Sequence, residues 1–203
     1  MLKSIGLLPR KVDTTRAAFC GYYESNHAPL AIGLFPFKKY VRNHLPFDMQ
    51  MDIGFDTISE FWLDNFQEVF DLMGGDVGAR MKEDERNFMD QGSIRSGAAE
   101  EHLIRGTPRG MDEHVNKTAL LMTRDTALSA EDYREKLKTW AAGFDAPRVS
   151  LDIITPWDGP GPAWPFDAVV WLWGEATSKA PPPGIALWRT LAVAARETSP
   201  DKR

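Results

Sequence analysis

The chain has 203 residues, and 29 acidic against 24 basic side chains leave a formal charge of −5 and a pI near 5.4. That balance argues against nucleic acid or an anionic membrane as the main partner. The single cysteine, Cys20, excludes an internal disulfide and a cysteine metal cluster. No apolar run is long enough to span a membrane, and residues 1–5 form no signal peptide, so a cytoplasmic protein is expected.

Taken in order, residues 2–8 are an apolar run of strand length, ended by Pro9-Arg10. Thr14 or Thr15 can cap a helix whose apolar positions Ala17, Ala18, Phe19, Tyr22 and Tyr23 recur at three- and four-residue spacing. Pro29 lacks an amide proton and biases Ala28 away from helical angles, so the helix is expected to break there and to hold His27 at its end. Histidine titrates nearest to working pH, which makes His27 the first candidate for chemistry. A short helical piece over residues 30–34 follows.

Residues 39–45 alternate as a strand, with Tyr40, Arg42 and His44 on one face and Val41 and Asn43 on the other. A polar connection over 46–54 is expected to be a mobile loop over the cavity. Residues 55–63 form a third strand that places Ile58, Glu60 and Trp62 on one face. A carboxylate between Ile58 and Trp62 should be partly buried and needs a compensating donor or cation, such as Arg42 or Lys39 on the neighbouring strand. Asp64-Asn65 caps a helix over 66–73, a charged helix covers 77–89, and residues 101–105 are a fourth strand, which completes βαββαβ.

After linker residues 107–116 the pattern restarts: a strand over 117–123, a helix capped by Ser129, and a strand over 148–154. Phe166-Asp167-Ala168-Val169-Val170-Trp171-Leu172-Trp173 then aligns with Phe55-Asp56-Thr57-Ile58-Ser59-Glu60-Phe61-Trp62. A helix over 185–197 is expected to end the chain. This is an internal repeat, residues 1–106 and 117–203, in which the second copy has Asp145-Ala146-Pro147 for His27-Ala28-Pro29 and Trp171 for Glu60. One functional site per chain, in the first half, is expected.

Several of these motifs together resemble the EthD family of the dimeric α/β-barrel superfamily. They are Arg10-Lys11, Thr14-Thr15-Arg16, His27-Ala28-Pro29-Leu30, Tyr40-Val41-Arg42-Asn43-His44, Phe55-Asp56 with Glu60-Phe61-Trp62, Asn87-Phe88-Met89-Asp90 and Glu101-His102-Leu103-Ile104. The resemblance implies an α+β fold of ferredoxin-like units whose sheets pair to enclose a small-molecule cavity. Here two such units, normally joined by dimerisation, would be fused in one chain to form a dimeric-α/β-barrel-like arrangement. A homodimer of these tandem-repeat chains is compatible with that reading. The resemblance does not imply a single reaction.

The expected function is a cofactor-independent lyase or isomerase, of dehydratase or cyclase type, acting on an aromatic or polyketide-like apolar molecule. His27 would take a proton next to a carbonyl, Glu60 would hold its imidazole, and Tyr40 or Asn43 would stabilise the enolate oxygen. Tyr23, Trp62, Trp171 and Trp173 are the expected substrate-binding residues. Neither metal nor cofactor is expected: His27, His44 and Glu60 could supply two imidazoles and a carboxylate, but His27 at a helix end and His44 on the strand face opposite Asn43 would have to converge. The alternatives are a non-catalytic carrier or accessory protein for an oxygenase or degradation pathway, and a cofactor-free monooxygenase.

Overall fold

Successive side chains of a strand point to opposite faces, and strands covered on both faces, such as Ala168–Trp173, read as continuous apolar runs. The structure, a computed structural model, describes residues 1–107, 115–159, 161–174 and 179–198. The strands are β1 (Leu2–Leu8), β2 (Lys39–His44), β3 (Thr57–Leu63), β4 (Arg95–Arg105), β5 (Val115–Arg124), β6 (Val149–Pro156), β7 (Ala168–Trp173) and β8 (Ile185–Thr198). They close into one barrel in the order β1-β3-β2-β8-β5-β7-β6-β4, with β4 returning to β1. All eight pairings are antiparallel.

The first four strands run β4-β1-β3-β2, and the last four run β8-β5-β7-β6. Matching residues hold matching registers. Lys3 lies opposite Trp62 and Ile5 opposite Glu60, while Lys117 lies opposite Trp173 and Ala119 opposite Trp171. The strand entrances match too: Leu8 O accepts from Asp56 N and Met122 O from Asp167 N, while Arg10 N and Arg124 N donate to the carboxylates of Asp56 and Asp167.

Helices lie outside. On the first half these are α1 (Arg16–Tyr22), a π-helical turn (Tyr23–His27), α2 (Ala28–Leu34), α3 (Phe66–Gly74) and α4 (Asp76–Glu85). The second half has α5 (Ala130–Ala141). Among the described residues no helix is long and apolar enough to cross a membrane.

Three expectations are corrected. The first concerns residues 185–197, which are strand β8 rather than a helix. Its alanine-rich composition favours helix, but Leu191, Val193 and Ala195 alternate into the interior, and the edges of both β2 and β5 need a partner. The second is the break at Pro29. The backbone stays helical through His27 and Ala28, and Ala28 N donates to Tyr23 O, five residues back. This wider turn carries the chain into α2, where Pro29 sits in the first turn without ending the helix. The third is the Asp145-Ala146-Pro147 string, which follows α5 with the Asp145 side chain fully exposed and so does not occupy the place of His27. His114, in the linker and expected from the sequence to be exposed, lies outside the described residues.

The barrel interior is packed with side chains, as eight strands allow. Ile5, Leu7, Ile58, Leu121, Val169 and Trp171 form its apolar part, and loop residues Met49 and Ile53 pack against them at one end. That loop, over residues 46–54, is tied to α1 by Arg16, which donates to the carbonyls of Met49 and Met51. The expected site over which it would close is therefore filled.

Candidate functional site

Strand parity separates two polar clusters that the sequence suggests are one. Even-numbered Ile58, Glu60 and Trp62 point into the barrel, whereas Ser59 and Phe61 face the helices. On β2, Val41 and Asn43 point in, and Tyr40, Arg42 and His44 point out.

Inside, Lys3 Nζ lies 2.8 Å from Glu60, 2.7 Å from Asp152 and 3.2 Å from Glu101. Lys117 Nζ is 3.2 Å from the other Glu60 oxygen and sits 4.5 Å from the Trp171 ring centroid and 5.1 Å from that of Trp173. Asn43 donates to Glu60 at 2.8 Å and Trp171 donates to Asp152 at 2.7 Å. Trp62 covers Lys3 at 4.6 Å and donates to Glu101. Burial raises the Asp152 carboxyl above its ordinary range and the Glu60 and Glu101 carboxylates add to that, with Lys3 opposing. Glu60 and Trp171 are fully buried, so this is a closed charge network and not a ligand chamber.

Outside, between the sheet and the helices, is a cavity of about 350 Å³. Aromatic and methionine side chains dominate its wall: Phe35, Phe37 and Phe61 on the sheet side, and Phe70, Met73 and Met81 from α3 and α4. Trp157, just beyond β6, closes it from the second half and meets Phe66 and Phe70 edge to face at 5.5 and 5.0 Å. An apolar wall with few convergent polar groups suits a flat, poorly hydrated ligand.

His27 lines this cavity and is only 5% exposed. Its Nδ1 is 2.7 Å from Asp84 Oδ2; the other Asp84 oxygen accepts from Tyr22 OH at 2.8 Å, and Tyr22 OH accepts from Asn87 at 2.8 Å. The carboxylate fixes the proton on Nδ1, which assigns the Nε2 lone pair to the cavity side. Burial lowers the imidazole pKa below its usual value, with Asp84 opposing and Arg42 contributing, so the ring is neutral and basic near pH 7.

Beside it, Tyr23 OH lies 2.6 Å from Tyr40 OH and 2.8 Å from Ser59 Oγ. Burial pushes the Tyr23 and Tyr40 phenols well above their ordinary value, so both are neutral donors. Three hydroxyls joined by two links leave one O–H that is not used between them. Arg42 supports this layer by gripping Glu24 through two bonds at 3.0 and 2.6 Å, and His44 adds a third at 2.7 Å. Burial alone would raise the Glu24 pKa, but the His44 and Arg42 bonds reverse it to about 2.

Of the eight residues expected at the site, Tyr23, His27 and Tyr40 line the cavity. Glu60, Asn43, Trp62, Trp171 and Trp173 do not, because they lie on the opposite side of the sheet, in the barrel. Glu60 therefore does not orient His27, and Asp84 does. Arg42, on the outer face, pairs with Glu24, and Lys39 pairs with Glu197. Asp84, Glu85 and Trp157 went unnoticed as site residues. A signal existed for Asp84: it stands on the stripe Val77, Met81, Asp84, Phe88 at helical spacing, where an ionised group is out of place. For Trp157 the signal is the crowding of Trp157, Trp164, Trp171 and Trp173 in one short region, which fills a barrel or lines a pocket, but only tertiary packing brings Trp157 to this cavity. Among the described residues no three of His, Cys, Asp or Glu come together to hold a metal ion.

The closed eight-strand barrel with outer helices defines the ferredoxin-like dimeric α/β-barrel class. A solved structure from Lactobacillus acidophilus NCFM, provisionally described as a monooxygenase, shares this fold at 11% identity, with a TM-score of 0.52 over 98% of this chain and 96% of that one. A provisionally described chlorite dismutase (9% identity, TM-score 0.49, 98% and 96% covered) and a chlorite dismutase of Candidatus Nitrospira defluvii (10%, 0.44, 99% and 92%) are weaker likenesses. More particularly, residues 11–92 match the family model described as EthD domain. That span holds Tyr23, His27, Tyr40 and Asp84. No curated protein matches the chain.

Proposed function

We propose that the chain is an enzyme of lyase or isomerase type that moves a proton next to the carbonyl of an apolar, aromatic or polyketide-like molecule bound between the sheet and the helices of its first half. The observation that carries this is a neutral, buried imidazole, held by Asp84 and facing an apolar cavity beside a tyrosine hydroxyl pair. His27 Nε2 accepts the proton, Asp84 holds the ring and balances the imidazolium, and the tyrosine layer donates to the oxygen that becomes an enolate. The wall excludes water from the enolate. No cofactor is invoked. The matching registers of the two halves support a further reading, that the barrel is two fused repeats with the chemistry kept only in residues 1–106 and the second repeat, residues 117–203, serving as its wall.

The test is loss of α-deuterium from labelled 1-tetralone followed by NMR. His27→Ala should slow exchange by roughly 10²- to 10⁴-fold while ligand-induced quenching of tryptophan fluorescence persists. Binding without any exchange in the unaltered protein would support a carrier and end the enzyme reading.

A further inference from the structure

We propose that Glu85 is the proton donor that makes this cavity a dehydratase of ring-fused β-hydroxy ketones, an inference that rests on His27 acting as the base. Helix α4 supplies two adjacent carboxyls with separate tasks: Asp84 is spent on His27 Nδ1, while Glu85 lines the same cavity as the imidazole. Glu85 Oε2 accepts from Gln91 Nε2 at 3.0 Å, and Gln91 is itself held at 2.7 Å by the Lys82 carbonyl. Its Oε1 has no protein partner among the described residues, so that oxygen can carry a proton towards a ligand.

The surroundings favour the protonated form. Burial raises the Glu85 carboxyl above its ordinary range; Asp84 adds to this, and Gln91 and Lys82 oppose it. Its position in the last turn of α4, near the negative end of the helix, works in the same direction. The other titratable groups on the cavity wall are His27, Tyr23 and Tyr40, all neutral near pH 7, so Glu85 is the one carboxyl that faces the same space as the imidazole.

A β-hydroxy ketone uses both. His27 takes the α-proton, the C–H electron pair becomes the new C=C bond through the enolate, and the C–O bond to the β-hydroxyl breaks as Glu85 protonates the leaving oxygen. Water leaves, and solvent returns a proton from the imidazolium to the Glu85 carboxylate, with no oxidant or reductant needed. A cavity of about 350 Å³ with a mostly aromatic wall has room for a bicyclic ring system.

The probe is 3-hydroxy-1-tetralone, whose loss of water yields fluorescent 1-naphthol, run beside deuterium exchange from 1-tetralone. The unaltered protein should form 1-naphthol, and Glu85→Gln should lower water loss at least 100-fold more than it lowers exchange. Glu85→Asp should recover part of the loss and keep the alkaline limb of the rate profile, which the amide abolishes. Equal effects of Glu85→Gln on both reactions would overturn the assignment, as would exchange without dehydration in the unaltered protein, and both outcomes leave the His27 reading standing. Absence of both reactions defeats that reading as well.

Discussion

At the scale of single residues, burial sets the sign of each titration. The imidazole of His27 is held below its ordinary value of 6.5, so an unfolded chain takes up a proton near that pH while the folded protein does not. Stability therefore falls as pH drops below about 6.5, and the acid limb of the rate profile should lie below the same value. Steady-state rates from pH 4.5 to 8 check this; a limb above 7 would mean that another group is the base. Glu24 behaves oppositely, with its folded value, about 2, well under the ordinary 4.5. Its stabilisation is present above pH 4.5 and lost as pH falls towards 2. The full shift corresponds to about 3 kcal/mol, and partial exposure of the carboxylate reduces this to roughly 2 kcal/mol. Glu24→Gln should cost that much in urea unfolding at pH 7 and about a quarter of it at pH 2.5.

Among the elements, β8 and the π turn decide whether a site exists. Strand β8 joins β2 to β5, so a proline at Val193, whose side chain is buried and whose strand is paired on both sides, should open the barrel. The expected cost is at least 3 kcal/mol, read as loss of cooperative unfolding. The π turn adds one residue to the helical spiral at the point where His27 faces Asp84. Deleting Ser25 should restore regular α-helix, rotate His27 by about 100° away from Asp84, and abolish exchange while far-ultraviolet circular dichroism stays near that of the unaltered protein.

Across the whole molecule, the charge network binds the halves to each other, since Lys3 of the first meets Asp152 of the second and Lys117 of the second meets Glu60 of the first. The halves have exchanged roles at matching positions: a carboxylate at Glu60 with an amide donor at Asn43, against a carboxylate at Asp152 with an indole donor at Trp171. A first half paired with itself would bring two Glu60 and two Glu101 carboxylates together without Asp152 or Trp171. Residues 1–107 alone are accordingly expected to stay unfolded or aggregate, and to recover a barrel only when mixed with residues 115–203, as read by size-exclusion chromatography and circular dichroism. Lys3→Met should cost about 3–5 kcal/mol, because it leaves buried carboxylates without their cation.

What the amino-acid sequence determined alone was periodic and local. Strand parity placed Glu60 and Trp62 on one face and Tyr40 and Arg42 on another, Thr14 or Thr15 and then Ser129 marked helix starts, and the string around Trp171 matched the one around Glu60. It singled out His27 because the side chain that titrates nearest to working pH stands just before Pro29 at the end of a helical pattern. Only the tertiary structure decided which face of each sheet is the barrel interior. That choice sent Glu60, Asn43 and three tryptophans into a closed core, gave His27 to Asp84, and made residues 185–197 a strand. The physical reason is that a sheet has two equally periodic sides, and what covers each one depends on partners far away along the chain.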